Sequence, residues 1–167
     1  MSRPCLWPDS GDAADRRGGN VNGAGTRAVR LLLVDDRSSV RRGLRIWLAL
    51  EPDLEVVGEA CGGAEAISLT QALRPDVVLM DIEMPGMDGI SAATALRSVA
   101  PQSAVVILTI HDDATTRARA QEAGAAAFVA KHRMEETLLA EIRRVARARE
   151  KQRRHDRTVE RHEGSDA

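Results

Sequence analysis

Cysteine is scarce in this sequence, which contains only Cys5 and Cys61 among 167 residues. Two cysteines this far apart form no disulfide framework, and neither has metal-ligand spacing with the four histidines. This usage excludes a disulfide-stapled secreted domain and predicts a reducing, cytoplasmic setting.

Long apolar runs and an excess of charge of one sign are also missing. No run approaches the roughly 18 to 20 residues of a membrane-spanning helix, and the N-terminus lacks the apolar core of a signal peptide. The net charge of -1, with 29% charged residues, excludes an overall bias towards nucleic acid or anionic membranes. We therefore expect a soluble protein with no membrane insertion, whose partners are selected by local features.

The composition divides the chain into three parts. Residues 1–28 offer little to bury and predict a disordered leader. Residues 29–148 alternate short runs of Val, Ile and Leu with stretches of helical periodicity. Residues 149–167 predict a charged C-terminal helix extension and tail. A chain of this length can form one domain with a sizeable core, which we place in the middle part.

The middle part predicts an α/β fold built on a five-stranded parallel sheet. The strand candidates are short and apolar, at residues 30–34, 54–59, 77–80, 105–109 and 126–130. The helix candidates lie at residues 40–50, 64–73, 90–99, 114–123 and from 135 onward. Continuous apolar strands indicate helices on both faces, so the sheet is expected to be doubly wound.

Polar residues follow four of these strands at the ends where sites form in open parallel sheets. The first strand is followed by Asp35 and Asp36, the third by Asp81, and the fifth by Lys131, while Thr109 ends the fourth. Asp81 alone would be an ordinary turn residue in a loop rich in Pro and Gly. Three acids, a hydroxyl and an amine at corresponding positions indicate a site instead.

The segments LLLVDD, DVVLMDIEMPGMDG, VVILT and GAAAFVAK resemble the motifs of bacterial response-regulator receiver domains. The resemblance covers residues 29–148, and EPDLEVVGEACGGAEAI is similar to receivers that precede helix-turn-helix outputs of the LuxR type. It implies a flavodoxin-like sheet with strand order 2-1-3-4-5 and a phosphoacceptor role in a two-component phosphorelay. The implied phosphodonor is a cognate histidine kinase or phosphotransfer protein.

Three carboxylates gathered in one pocket would repel each other strongly without a cation. Mg2+ is suited to such a pocket because it accepts a few carboxylate or carbonyl oxygens and keeps waters for exchange with phosphate oxygens. Asp36 and Asp81 are the predicted ligands. Asp35 is expected to act through water or by orienting the metal, and the resemblance adds the backbone carbonyl of Glu83.

Asp81 is the predicted nucleophile, since a carboxylate oxygen can attack a phosphoryl group to form an aspartyl phosphate. Mg2+ and Lys131 would neutralise charge on the phosphoryl oxygens, and Thr109 would bind a remaining oxygen. The chain is then not an enzyme with a separate substrate. Its chemistry is limited to phosphorylation of itself from small donors and to its own dephosphorylation.

Signal output is expected to involve Thr109 and Phe128. A hydroxyl drawn towards a new phosphoryl group vacates space for a neighbouring side chain, and the resemblance places its switch aromatic at Phe128. An ordinary core position is the competing interpretation. Glu83 and His111 each lie two residues beyond a site residue and are candidates for tuning the phosphate lifetime. Two solvated loop side chains remain the alternative there.

Two departures from the common receiver pattern affect these expectations. His132 follows Lys131 where many receivers have a proline, which leaves the isomer of that peptide bond open. No helix-turn-helix segment follows residue 148, and the arginine-rich residues 143–154 are interpreted as a solvated helix rather than a DNA contact. The resemblance then implies an output partner protein or a homodimer, through the face of the fourth helix, fifth strand and fifth helix.

Two other functions are kept as alternatives. A receiver-like interaction module that works without phosphorylation would have the same fold, although the intact acid set argues against it. A Mg2+-dependent phosphohydrolase with an aspartate nucleophile generally has a DxD pattern, with a second aspartate two residues after the nucleophile. Glu83 stands at that position here, which argues against this function.

Overall fold

A computed structural model describes residues 27–163, and for residues 157–163 it describes the backbone only. Nearly all of the predicted leader, residues 1–28, lies outside this range. The strands are β1 (Val29–Val34), β2 (Leu54–Ala60), β3 (Val77–Met80), β4 (Ala104–Thr109) and β5 (Ala127–Ala130). The helices are α1 (Ser38–Leu48), α2 (Gly63–Leu73), α3 (Gly89–Val99), α4 (Ala114–Glu122) and α5 (Met134–Glu163).

The five strands form one sheet in the order β2-β1-β3-β4-β5, and every neighbouring pair is parallel. Val34 pairs with Met80 at the ends of β1 and β3, and Thr109 pairs with Ala130 at the ends of β4 and β5. The residues that follow these strands therefore meet along one edge of the sheet. The predicted fold class and strand order are confirmed.

Apolar side chains fill a core on each face of the sheet. On one face, alternate strand residues such as Leu32 and Met80 pack against α2, α3 and α4. On the other, residues such as Leu33 and Leu79 pack against α1 and α5. Every residue of β3 and β4 is buried, which is why both strands are continuous apolar runs in the sequence. Helices on both faces were predicted and are present.

Local capping fixes where the helices near the site begin and end. Asp88 accepts a hydrogen bond from the Ser91 N–H at 2.7 Å and starts α3, while Asp113 accepts from the Thr116 N–H at 2.8 Å and starts α4. Gly124 follows α4 with a φ of +90°, a conformation that favours glycine, and its N–H donates to the Gln121 carbonyl.

Helix α5 is held to the body of the domain by its buried residues and by ion pairs at two places. Among the side chains that the structure describes in α5, Val145 is the last buried apolar one. Arg143 donates to both carboxylate oxygens of Asp53 at 2.7 Å and to Glu51 at 2.6 Å. Further along, Arg153 lies 3.4 Å from Asp76, the residue before β3. The predicted boundary at residue 148 falls inside this continuous helix and stays a prediction.

Within residues 27–163, none of the helices has the length and the hydropathy needed to cross a membrane.

Candidate functional site

Three aspartates come together at the carboxyl edge of the sheet. Asp35 and Asp36 follow β1, Asp81 follows β3, and one carboxylate oxygen of each lies within 4.8 Å of the others. The strands β1 and β3 are neighbours, which places the three acids side by side. Asp35 is 2% exposed and Asp81 is 4% exposed, whereas Asp36 faces solvent. The structure thus forms an acidic pocket with one open side.

Lys131 brings a positive charge to this pocket from the end of β5. Its ammonium donates a hydrogen bond to Asp35 Oδ2 at 2.8 Å and lies 3.3 Å from Asp81 Oδ2. The lysine side chain is 13% exposed. The Arg37 guanidinium, 3.6 Å from Asp35 Oδ1, adds a second positive charge. Two cations only partly offset three carboxylates, so the pocket retains a negative balance that favours a further cation.

The pKa of Asp81 is raised above its usual range, and burial is the largest cause. The ammonium of Lys131 opposes this rise, the charge of Asp35 adds to it, and the Ile82 N–H lowers it by donating to Asp81 Oδ1 at 3.0 Å. A carboxylate that acts as a nucleophile must be ionised. A metal cation bound beside Asp81 would favour that form.

Glycine at position 89 lets the loop after β3 return against the backbone of Asp81. A Cβ atom at Gly89 would lie 2.0 Å from the Asp81 carbonyl oxygen, which is too close for any residue that has a Cβ atom. The Gly89 N–H donates to the Ile82 carbonyl at 2.9 Å and closes the loop. Gly86, in the same loop, has a φ of +78°. From the sequence, these glycines were interpreted only as turn residues. The structure shows that Gly89 is also required for close packing against Asp81.

Thr109 is fully buried at the end of β4, and its hydroxyl accepts a hydrogen bond from the His111 N–H at 3.2 Å. The His111 ring lies 2.9 Å from Glu83 Oε1, and both side chains are exposed. The hydrogen bond to Glu83 is the main cause that raises the pKa of His111. The loops after β3 and β4 are thereby joined beside the acidic pocket.

Arg41, in α1, supports the pocket through the backbone of Asp35, and the sequence analysis did not identify it as a site residue. It is 6% exposed, donates to the Asp35 carbonyl at 2.6 Å and donates to Glu59 at 3.1 Å. A signal was present, because Arg41 shares the buried face of α1 with Leu44 and Leu48 at helical spacing.

Phe128 lies half-buried in β5, with the guanidinium carbon of Arg117 4.6 Å from its ring centroid. Arg117 also donates to Asp112 from two nitrogens. His132 Nε2 lies 4.0 Å from the same aspartate. The peptide bond between Lys131 and His132 is trans, since the described residues contain no cis bond.

The fold and the pocket agree with a family-level match. Residues 31–143 match the family described as the response regulator receiver domain. The chain therefore belongs to the response regulator receiver domain family, the phosphoacceptor domains of two-component signalling.

Individual relatives show the range of proteins that carry such a domain. The chain is 39% identical over 111 residues to "Uncharacterized transcriptional regulatory protein YhcZ" of Bacillus subtilis, an alignment covering 66% of this chain and 52% of that protein. It is 33% identical over 133 residues to a protein-glutamate methylesterase/protein-glutamine glutaminase of Methanosarcina mazei, covering 75% and 37%.

Among solved structures, it matches a two-component response regulator of the LuxR family from Aurantimonas sp. SI85-9A1. The TM-score is 0.70 at 33% identity, and the match covers 72% of this chain and 86% of that chain. The chain spans about half, or less, of the length of the curated relatives named above. The likeness therefore concerns their receiver domains.

Proposed function

We propose that this receiver domain accepts a phosphoryl group on Asp81. The observation that supports this most strongly is the position of the buried Asp81 carboxylate, 3.3 Å from the Lys131 ammonium and within the cluster of three aspartates. An Asp81 oxygen would form a bond to phosphorus as the bond between phosphorus and the donor breaks. That bond is P–N in a phosphohistidine donor and P–O in acetyl phosphate, and the donor leaves with its own nitrogen or oxygen. Lys131 and Thr109 would bind phosphoryl oxygens and stabilise the charge of the transition state.

Mg2+ is the proposed cofactor, because the pocket offers only hard oxygen donors and carries a negative balance. Asp36 and Asp81 would be ligands, and Asp35 would act through water or by orienting the metal. The Glu83 backbone carbonyl would complete the protein's share. Mg2+ would supply neutralisation of phosphoryl charge when bound. The solvent-facing side of Asp36 leaves access for the ion.

Signalling would follow from movement of Thr109 and Phe128 once Asp81 is phosphorylated. The phosphodonor would be a histidine kinase or phosphotransfer protein. Output would pass to a partner protein, or a second copy of this chain, at the face formed by α4, β5 and α5. The contact between Glu83 and His111 lies at the edge of the pocket, and this pair would tune the lifetime of the phosphate by controlling the approach of water.

We further propose that the chain is a signalling domain and not an enzyme with a separate substrate. Methylesterase activity is a property named for the Methanosarcina mazei protein, only 37% of which is covered by the match. On the composition and cysteine content of the sequence, we likewise propose a cytoplasmic location and a receiver at residues 29–148 between a leader and a charged extension. We propose that the arginine-rich residues 143–154 are a solvated helix face rather than a DNA contact.

The test is phosphorylation from acetyl phosphate with Mg2+, followed by intact-mass analysis. The wild type should gain one phosphoryl group, and Asp81→Asn should gain none. Asp88→Asn is the matched control, because it changes a carboxylate in the same loop while asparagine keeps the N-cap of α3. Equal incorporation in the wild type and Asp81→Asn would refute the assignment. No incorporation in a folded wild type would favour the phosphorylation-independent interaction module.

A further inference from the structure

Phe128 is the only phenylalanine in the chain, and its ring is covered by a cation from another element. The guanidinium carbon of Arg117, in α4, lies 4.6 Å from the ring centroid. Arginine over an aromatic face at this distance is an attractive arrangement, since the face of the ring carries negative potential. The contact therefore favours the position that the ring has in this structure.

Arg117 is itself fixed in place by an acid. Asp112, in the loop between β4 and α4, accepts a 2.7 Å hydrogen bond from the Nε of Arg117 and a second bond from another of its nitrogens. Both nitrogens donate to the same oxygen, Asp112 Oδ1, so the carboxylate holds one edge of the guanidinium. Asp113 caps α4 immediately beyond, which also fixes the start of the helix that carries Arg117.

The same loop connects this contact with the acidic pocket. Thr109 ends β4 three positions before Asp112, and its hydroxyl is bound by the His111 N–H at 3.2 Å. If the Thr109 hydroxyl turns towards a phosphoryl group, that hydrogen bond must change and the loop carrying Asp112 is free to shift. The support for Arg117 would then weaken at the moment when Phe128 has to move.

We propose that Arg117, fixed by Asp112, is a positioning residue that holds Phe128 in its resting place and so sets how readily the domain switches. This rests on the proposed function, because it assumes that phosphorylation at Asp81 moves the ring. An exposed contact of cation and ring changes an equilibrium by about two- to fivefold. Removing Arg117 should therefore ease switching by about that factor.

The single phenylalanine makes the ring directly observable. Biosynthetic replacement by 4-fluorophenylalanine gives one protein 19F resonance, and beryllofluoride, an acyl-phosphate analogue, gives a separate 19F signal when bound. Titration of beryllofluoride at fixed Mg2+ thus reports site occupancy and ring position in one sample. Arg117→Gln is compared with Arg119→Gln, a change of the same kind two positions along α4, at an exposed arginine for which the described residues provide no ion-pair partner.

In the wild type and in Arg119→Gln, the ring resonance should move to a new position with the same midpoint. In Arg117→Gln the midpoint should fall about two- to fivefold. Asp112→Asn should shift it in the same direction, and Arg117→Lys, which keeps a cation near the ring, should lie between Arg117→Gln and the wild type. Circular dichroism melts establish that each variant is folded.

Two results would overturn the proposal in distinguishable ways. A normal signal for bound beryllofluoride with the same midpoint in Arg117→Gln and the wild type would refute the role of Arg117 alone. No bound signal in the folded wild type would refute the phosphoacceptor assignment, and the role of Arg117 with it.

Discussion

Lys131 and Asp35 are joined by a 2.8 Å hydrogen bond although 96 positions separate them in the chain. The same ammonium lies 3.3 Å from Asp81, so this one cation pairs with both buried carboxylates. Burial of two acids in one pocket would otherwise be costly, since each loses its hydration and repels the other. The lysine therefore serves both the folded pocket and the chemistry proposed for it.

Replacing Lys131 by methionine should slow phosphorylation by acetyl phosphate by on the order of 10²-fold, because a preorganised cation aimed at developing charge is lost. The rate of mass gain with Mg2+ measures this effect. The chain's other lysine, Lys151, lies exposed on α5, and Lys151→Met is the matched control. Equal rates for Lys131→Met and the wild type would exclude a role for the ammonium in phosphoryl transfer.

Mg2+ should raise the thermal stability of the wild type, because a ligand that binds only the folded state stabilises it, by about 2.7 kcal/mol at one hundred times its dissociation constant. Asp36→Asn should shift this stabilisation to higher Mg2+ concentrations. Melting temperatures across a Mg2+ titration, with Na+ at matched ionic strength as the reference, provide the measurement. A melting temperature of the wild type that does not change with Mg2+ concentration would contradict the metal site.

Gly89→Ala should destabilise the domain by about 1–3 kcal/mol, because the new methyl group must displace the Asp81 carbonyl. Gly43→Ala is the opposite case, since nothing lies within 4 Å of a Cβ at this exposed position in α1. That change should stabilise the protein by about 0.5–1 kcal/mol. Urea unfolding compares the two, and a loss of stability in Gly43→Ala as large as that in Gly89→Ala would contradict this account.

Asp53→Asn should lower stability at neutral pH by up to about 1 kcal/mol, the range for a partly exposed ion pair. The hydrogen bond from Arg143 is the main cause that lowers the pKa of Asp53 in the folded state. Its contribution to stability is therefore present above the unfolded pKa and lost as the pH falls through the lowered folded pKa.

Urea unfolding from pH 7 down to pH 3 should thus show the stability difference between the wild type and Asp53→Asn shrinking with acidity. If the difference in unfolding free energy between the wild type and Asp53→Asn instead grew towards low pH, the proposed effect of the lowered Asp53 pKa on stability would be wrong.

Most of the fold could be predicted because buried strands are recognisable in the sequence as apolar runs. The strands β3 and β4 are buried at every residue, so they appear as uninterrupted apolar runs. The ends of α1 were each placed two residues too late. It begins at Ser38, which lacks an apolar signal, and it ends at Leu48 although Ala49 and Leu50 continue the apolar pattern.

Some residues of the candidate site could be predicted from the sequence, and some contacts could not. Residues that follow strands, such as Asp81 and Lys131, were identifiable because parallel strands bring their carboxyl ends to one edge. The inward direction of Arg41 and the stacking of Arg117 on Phe128 were not predicted. These contacts depend on distances between elements, which spacing along the chain does not specify.

The length of α5 has a mechanical consequence. At 1.5 Å per residue the helix extends about 27 Å beyond Val145, the last buried apolar residue among its described side chains. If the helix stays straight over that length, a tilt of about 5° at the sheet would displace its far end by about 2 Å. The ion pair between Arg153 and Asp76 lies partway along and would restrain such a tilt. A shift too small to alter the core could thus become a displacement that a bound partner can sense.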